Sequence, residues 1–164
     1  MCLIANVKAT ECLKQLEGKI TVWKVFNVGI KRKYKNQHDP EGKVVATGLR
    51  GRYRSYNWLP KKHVATGACT TLDPSLRVNK GIHVCLSEEE AKFVMGPKTV
   101  VGKFEVPVAD VLFVGSSDGV TYASNGGKPI SDIYNHRFAK QATLKQLTMT
   151  KKQHTELLKA AVNL

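Results

Sequence analysis

The sequence is short of acidic side chains, sparing with aromatic ones, and nowhere strings together enough apolar residues to cross a bilayer. Its longest uncharged apolar runs, such as Val111–Gly115, fall far below the roughly 20 residues that a membrane helix needs. The opening residues, Met1 to Lys8, have no basic stretch followed by a long apolar core, so no secretory leader is expected. The four cysteines, Cys2, Cys12, Cys69 and Cys85, contain no CxxC pair. That spacing gives no structural zinc centre, and reduced, partly buried thiols in a cytoplasmic protein are expected instead. Cys2 would be an N-terminal nucleophile only if Met1 were removed. No Ser/His/Asp order, phosphate-binding glycine loop, HExxH or GxGxxG is present, so the sequence calls for no cofactor and no metal.

What is present is positive charge. Lysine and arginine number 26 against 13 aspartates and glutamates, a formal net charge of +13. The excess is segregated. Residues 31–62 carry ten basic groups against two acidic ones, residues 137–164 carry six against one, and residues 64–136 carry six against eight. Two basic regions around a near-neutral middle attract polyanions and speed their capture. A hydrophobic content of 42% argues against disorder and for a packed core in the 164-residue chain.

Local patterning predicts an α+β fold in one domain over 1–164, a twisted and mainly antiparallel sheet packed with two or three helices. Thr10 is expected to cap a helix reaching Glu17, with Gly18 in the left-handed position beyond it. Ile20 to Val28, rich in β-branched and aromatic residues, reads as the best strand, closed by Gly29. Residues 31–43 read as a solvated basic loop. Short strands are expected at Val44–Ala46, near Ala68–Thr71 and at Gly81–Leu86. Ser87–Glu90 is a capping box opening a helix with Ala91, Phe93 and Val94 inward. Strands follow at Thr99–Val106 and Asp110–Val114, then at Val120–Ala123 before an Asn125–Gly127 turn, and at Ala142–Leu147. Ser116–Gly119 reads as a turn. Thr150 and Gln153 form a second capping box, before a helix whose apolar side holds Leu157, Leu158, Ala161 and Val162.

Arg50-Gly-Arg-Tyr-Arg-Ser-Tyr-Asn-Trp58 is the leading functional candidate. Arg50, Arg52 and Arg54 can each offer a planar fork of donors to phosphate. Tyr53, Tyr56 and Trp58 can offer faces to unpaired bases. The alternative is a strand whose aromatics enter the core while its arginines stay in water. Lys31, Arg32, Lys33 and Lys35 repeat the basic composition, and Lys61 and Lys62 extend it. His83, on a strand before a capped helix, is either a structural histidine or a general base near pH 7. Glu105 is expected to point outward with Lys103.

The order of Val22–Val25, the Tyr53–Trp58 loop, Gly81-Ile-His-Val84, the Ser87–Ala91 helix start and Val100–Val106 resembles small phage and prophage proteins that carry a Gly-Phe-His strand before a short helix. Here Ile82 stands in place of the aromatic. The resemblance covers about two-thirds of the chain. It implies a virus-encoded accessory protein of the host cytoplasm, one that blocks a host defence, and brings no agreed activity. The chain is more distantly similar to ADP-ribosyltransferase-like folds, including the RNA 2′-phosphotransferases, through His83 and Ser117-Asp-Gly-Val120. That likeness implies an enzyme in which His83 and one of Arg50, Arg52 or Arg54 contact a nicotinamide dinucleotide. The chain lacks that fold's His-Arg-His-Arg set. Three partner classes follow: RNA, DNA or an anionic nucleotide held by the 31–62 surface, or a host nucleic-acid-handling complex; a dinucleotide; or an acidic host protein. No membrane partner is expected.

Overall fold

Apolar residues at Ile20, Val22, Phe26 and Val28 fall on alternate positions, interrupted at Lys24, the period of a strand with one face against a core. In the computed structural model, which describes residues 3–34, 36–38, 42–51, 57–66, 77–78, 80–117 and 140–162, this pattern becomes the spine of the molecule. The elements run β1 (Leu3–Ala5), α1 (Val7–Lys14), β2 (Lys19–Lys33), β3 (Lys43–Gly51), β4 (Lys62–Val64), β5 (Arg77–Val78), β6 (Ile82–Cys85), α2 (Glu88–Val94), β7 (Thr99–Pro107), β8 (Val111–Ser117), β9 (Gln141–Leu144), β10 (Gln146–Thr148) and α3 (Lys151–Val162). The fold is α+β. Eight strands form one antiparallel sheet in the order β3-β2-β6-β9-β8-β1-β5, with β7 on the other edge of β2, while β4 and β10 pair separately.

β2 runs past Gly29, where the sequence reading ended it, because Thr47 bulges out of β3 opposite Gly29 and Ile30 and lets the pairing resume. A methyl group on Gly29 would meet the Thr47 hydroxyl, so a larger residue there would have to turn that side chain aside. Residues 31–33, expected in a loop, are therefore strand, and β3 is longer than Val44–Ala46.

The main core holds Val22, Phe26 and Val28 of β2 with Val100, Phe104 and Val106 of β7, Ile82 and Val84 of β6, and Ala142 and Leu144 of β9. Trp58, Leu49, Leu147 and Met149 close over it together with Leu157 and Ala161 of α3. Gly102 lies under the Phe26 and Phe104 rings, where a Cβ would sit 2.8 Å from Phe104. On the opposite face, Val25, Cys85 and Ala91 form a smaller core with Trp23, Val94 and Val101 beneath α2.

Helix ends follow side-chain chemistry. Thr150 and Gln153 make both arms of their capping box, Gln153 N–H to Thr150 Oγ1 at 3.1 Å and Thr150 N–H to Gln153 Oε1 at 2.8 Å. Ser87 caps α2 through the Glu90 amide, whereas the Glu90 carboxylate accepts from Gln141. α1 begins at Asn6, not Thr10: Asn6 Oδ1 accepts from the Ala9 amide, and Thr10, buried inside the helix, bridges Asn6 and Val114. Gly18 does adopt a positive φ of 90°, beyond the helix end. Phe93 is 76% exposed rather than inward, Ser116 and Ser117 belong to β8 rather than to a turn, and residues 142–147 split at Lys145 into two strands of different sheets. The strands expected near Ala68–Thr71 and Val120–Ala123, and the 125–127 turn, lie outside the described residues.

Candidate nucleic-acid interface

β7 accompanies β2 only from Lys19 to Asn27. Beyond that point β2 and β3 continue as a two-stranded ribbon to Lys33 and Lys43. Alternation places Lys31 and Lys33 on one face of β2 and Arg32 on the other. The register sets Lys33 directly opposite Lys43 and Arg50 opposite Asn27, so Lys31, Lys33, Lys43 and Arg50 share a face. All four are exposed. From Arg50 to Lys31 the row spans four residue steps, about 13 Å at the strand rise. Arg32 donates from Nη1 to the Gly42 carbonyl at 3.2 Å and ties the tip of the hairpin.

Lys61 and Lys62 lie elsewhere, on β4. Lys62 pairs with Thr148, and Met149 N–H donates to the Lys61 carbonyl. They therefore stand beside the start of α3, where Lys151 and Lys152 are exposed in a first turn with no acidic residue. The two basic regions of the sequence thus meet at β4. A cavity of about 300 Å³ lined by residues 61–66 with Gly81 and Ile82 opens along the same strand.

Trp58 corrects the sequence reading. It is fully buried, edge-on to Phe26 at 5.4 Å and stacked at a tilt on His63 at 4.1 Å, so it cannot receive a nucleic-acid base. Lys35, Arg52, Tyr53, Arg54 and Tyr56 lie outside the described residues.

His83 sits mostly buried on β6, opposite Thr143. Burial, reinforced by the nearby Lys24 ammonium, lowers its pKa to about 4 against the opposing pull of hydrogen bonds to the backbone of Val78 and Gly81. At neutral pH it is an uncharged ring fixed in the sheet. Glu105 does point outward, and it accepts from the Thr21 hydroxyl.

The residue passed over in the sequence is Lys24. It interrupts the apolar alternation of β2 and is buried, 7% exposed. It sits where the edge of β2 changes partner, β6 pairing at Trp23 and β3 from Phe26 onward. Its Nζ donates to the His83 carbonyl at 3.0 Å and lies 5.1 Å from the Trp58 ring centre and 5.7 Å from that of Phe26. Desolvation brings its pKa down to about 8, with Cys85 pulling slightly the other way. The Cys85 thiol itself is pushed up to about 12 by burial and by Glu90.

Among the described residues no three histidine, cysteine or carboxylate side chains converge to hold a metal, and no helix is long and apolar enough to cross a membrane. Comparison of the chain with protein-family models, curated proteins and solved structures finds no match.

Proposed function

We propose that this is a nucleic-acid-binding accessory protein that captures its ligand through the β2–β3 ribbon. The observation that carries the reading is the cross-strand pairing of Lys33 with Lys43, with Lys31 and Arg50 on the same face. Like charges directly opposite in an antiparallel pair destabilise it, so this register opposes folding. A polyanion reverses the sign of that interaction: each phosphate neutralised releases counterions, and the ribbon's own repulsion is screened. Lys151 and Lys152, at the positive end of α3, add two more cations where a helix favours anions.

Lys43→Glu tests the proposal, because it separates folding from binding. Removing the repulsion and adding an opposite-charge pair should raise stability by about 0.2–1 kcal/mol. The same change should weaken oligonucleotide binding and flatten the log-affinity against log-salt slope by about 0.7–0.9, the share of one neutralised phosphate. A variant that is more stable yet binds as before rejects the ribbon as the interface. Purification without nuclease should yield protein carrying nucleic acid that a high-salt wash removes. A clean preparation would transfer the reading to an acidic host protein.

A further inference from the structure

The kind of nucleic acid can be narrowed, on the assumption that the ribbon is the interface. Single-strand binding without sequence preference relies on aromatic faces along which successive bases stack. Among the described residues, Trp58 is inside the core and Trp23 lies beneath α2, leaving as exposed aromatics Tyr34, at the tip of the ribbon just past β2, and Phe93 of α2. One exposed aromatic at the tip makes, among the described residues, no row along which successive bases could stack. The ribbon offers a two-stranded cationic face with Lys31, Lys33 and Lys43 toward its tip, while Arg50 lies at its root, between Asn27 of β2 and Asn57.

Two strands lie about 4.8 Å apart, and with side chains such a ribbon matches the roughly 12 Å major groove of B-form DNA, which admits a two-stranded β-ribbon. The portion of β2 free of β7 runs from Val28 to Lys33. At about 3.4 Å per residue it reaches about 20 Å along a groove. An A-form RNA duplex has a deep, narrow major groove that side chains cannot read.

We propose that the β2–β3 ribbon lays its Lys31, Lys33 and Lys43 face into the major groove of duplex DNA, with the lysines on phosphates. The lysines fix the ribbon along the groove walls and carry no sequence information of their own. Arg32, on the opposite face and tied to the Gly42 carbonyl, holds the tip rather than the bases.

The test is fluorescence anisotropy with four probes of one base sequence: duplex DNA, each single DNA strand, and the RNA duplex. Methyl green and netropsin serve as competitors for the major and minor groove. Expected is at least about tenfold tighter binding to duplex DNA than to the other probes, displacement by methyl green but not by netropsin, and a salt slope shallower by about 0.9 for each of Lys31→Ala, Lys33→Ala and Lys43→Ala. Equal affinity for all probes, preference for single strands or RNA, or displacement by netropsin overturns the groove inference and leaves the ribbon as a polyanion site. No binding to any probe overturns both. Circular dichroism of each variant keeps loss of binding apart from loss of fold, and these exposed positions are expected to leave the spectrum unchanged.

Discussion

A buried ammonium leaves a signature in the pH dependence of stability. Lys24 is lowered from 10.5 to about 8 in the folded chain. Below about pH 8 the residue is charged in both states, and the folded state bears the whole desolvation cost. Between about pH 8 and 10.5 the unfolded chain still binds the proton while the folded chain has released it, so the unfolded state holds more protons and stability rises with pH. At about 1.4 kcal/mol per pH unit, this interval corresponds to about 3 kcal/mol. Lys24→Met keeps an unbranched side chain of similar length and removes the titration. Near pH 7 two effects oppose in that variant: relief of the buried charge, and the loss of the donor to the His83 carbonyl, which leaves an acceptor unsatisfied at about 1–3 kcal/mol. The absolute difference at one pH is therefore a poor measure, and its change with pH is the informative quantity. Urea unfolding followed by far-ultraviolet circular dichroism, run from about pH 7.5 to 10.5, should show the wild-type chain gaining about 3 kcal/mol relative to Lys24→Met. Cys85, raised to about 12, favours the folded state progressively less above pH 9, but it is present in both chains and cancels to first order. Two stability curves that run parallel across this range would refute the burial of a titrating Lys24.

Three other outcomes follow from the same packing. His83, lowered from 6.5 to about 4, should make the fold lose about 3 kcal/mol as pH falls from 6.5 to about 4, because only the unfolded chain takes up the proton; His83→Gln should flatten that acid limb in urea titrations, and an unchanged limb would assign the loss to carboxylates. The Thr143 hydroxyl is buried with no hydrogen-bond partner among the described residues, so Thr143→Val should raise stability by about 1 kcal/mol, and a lower melting temperature would show that the hydroxyl is satisfied. Trp58→Ala should destabilise by about 3–5 kcal/mol, whereas Trp58→Phe, which still fills the space beside Phe26, should leave DNA affinity and its salt slope unchanged in anisotropy titrations; weaker binding by a folded Trp58→Phe chain would return Trp58 to the interface.

Local chemistry was readable wherever it was settled locally. The Thr150–Gln153 capping box has both arms because the residues that make it are three positions apart. The alternation of β2 was equally plain, and Lys24 could have been found in it as a cation at an even-numbered, otherwise apolar position. What could not be read depended on distant partners. Thr10 and Asn6 are both good N-cap residues. The choice between them rests on Thr10 reaching Val114 on β8, 104 residues away along the chain. Gly29 resembled a strand end because nothing near it reveals the Thr47 bulge on the partner strand. The ribbon followed from that bulge, so its cationic face was seen in composition and missed in geometry. Trp58, set among arginines and tyrosines, gave no local sign that Phe26 and His63 would enclose it.

Two lysine placements in this chain contrast, one bearing on the fold and the other on the proposed function. Lys24 is unfavourable as a charge in a core, yet the structure around it compensates: a carbonyl at the point where the sheet changes partner, and two aromatic faces. Removing it disturbs packing, and its consequences are read in stability. Lys33 and Lys43 are unfavourable as neighbours, and they stand exposed at the end of a ribbon where a single substitution relieves the strain. A placement that opposes folding and is easily relieved is best explained by a gain outside the fold. In the proposed reading that gain is the capture of a charged ligand, whose phosphates would turn the repulsion between the two strands into joint attraction for one partner.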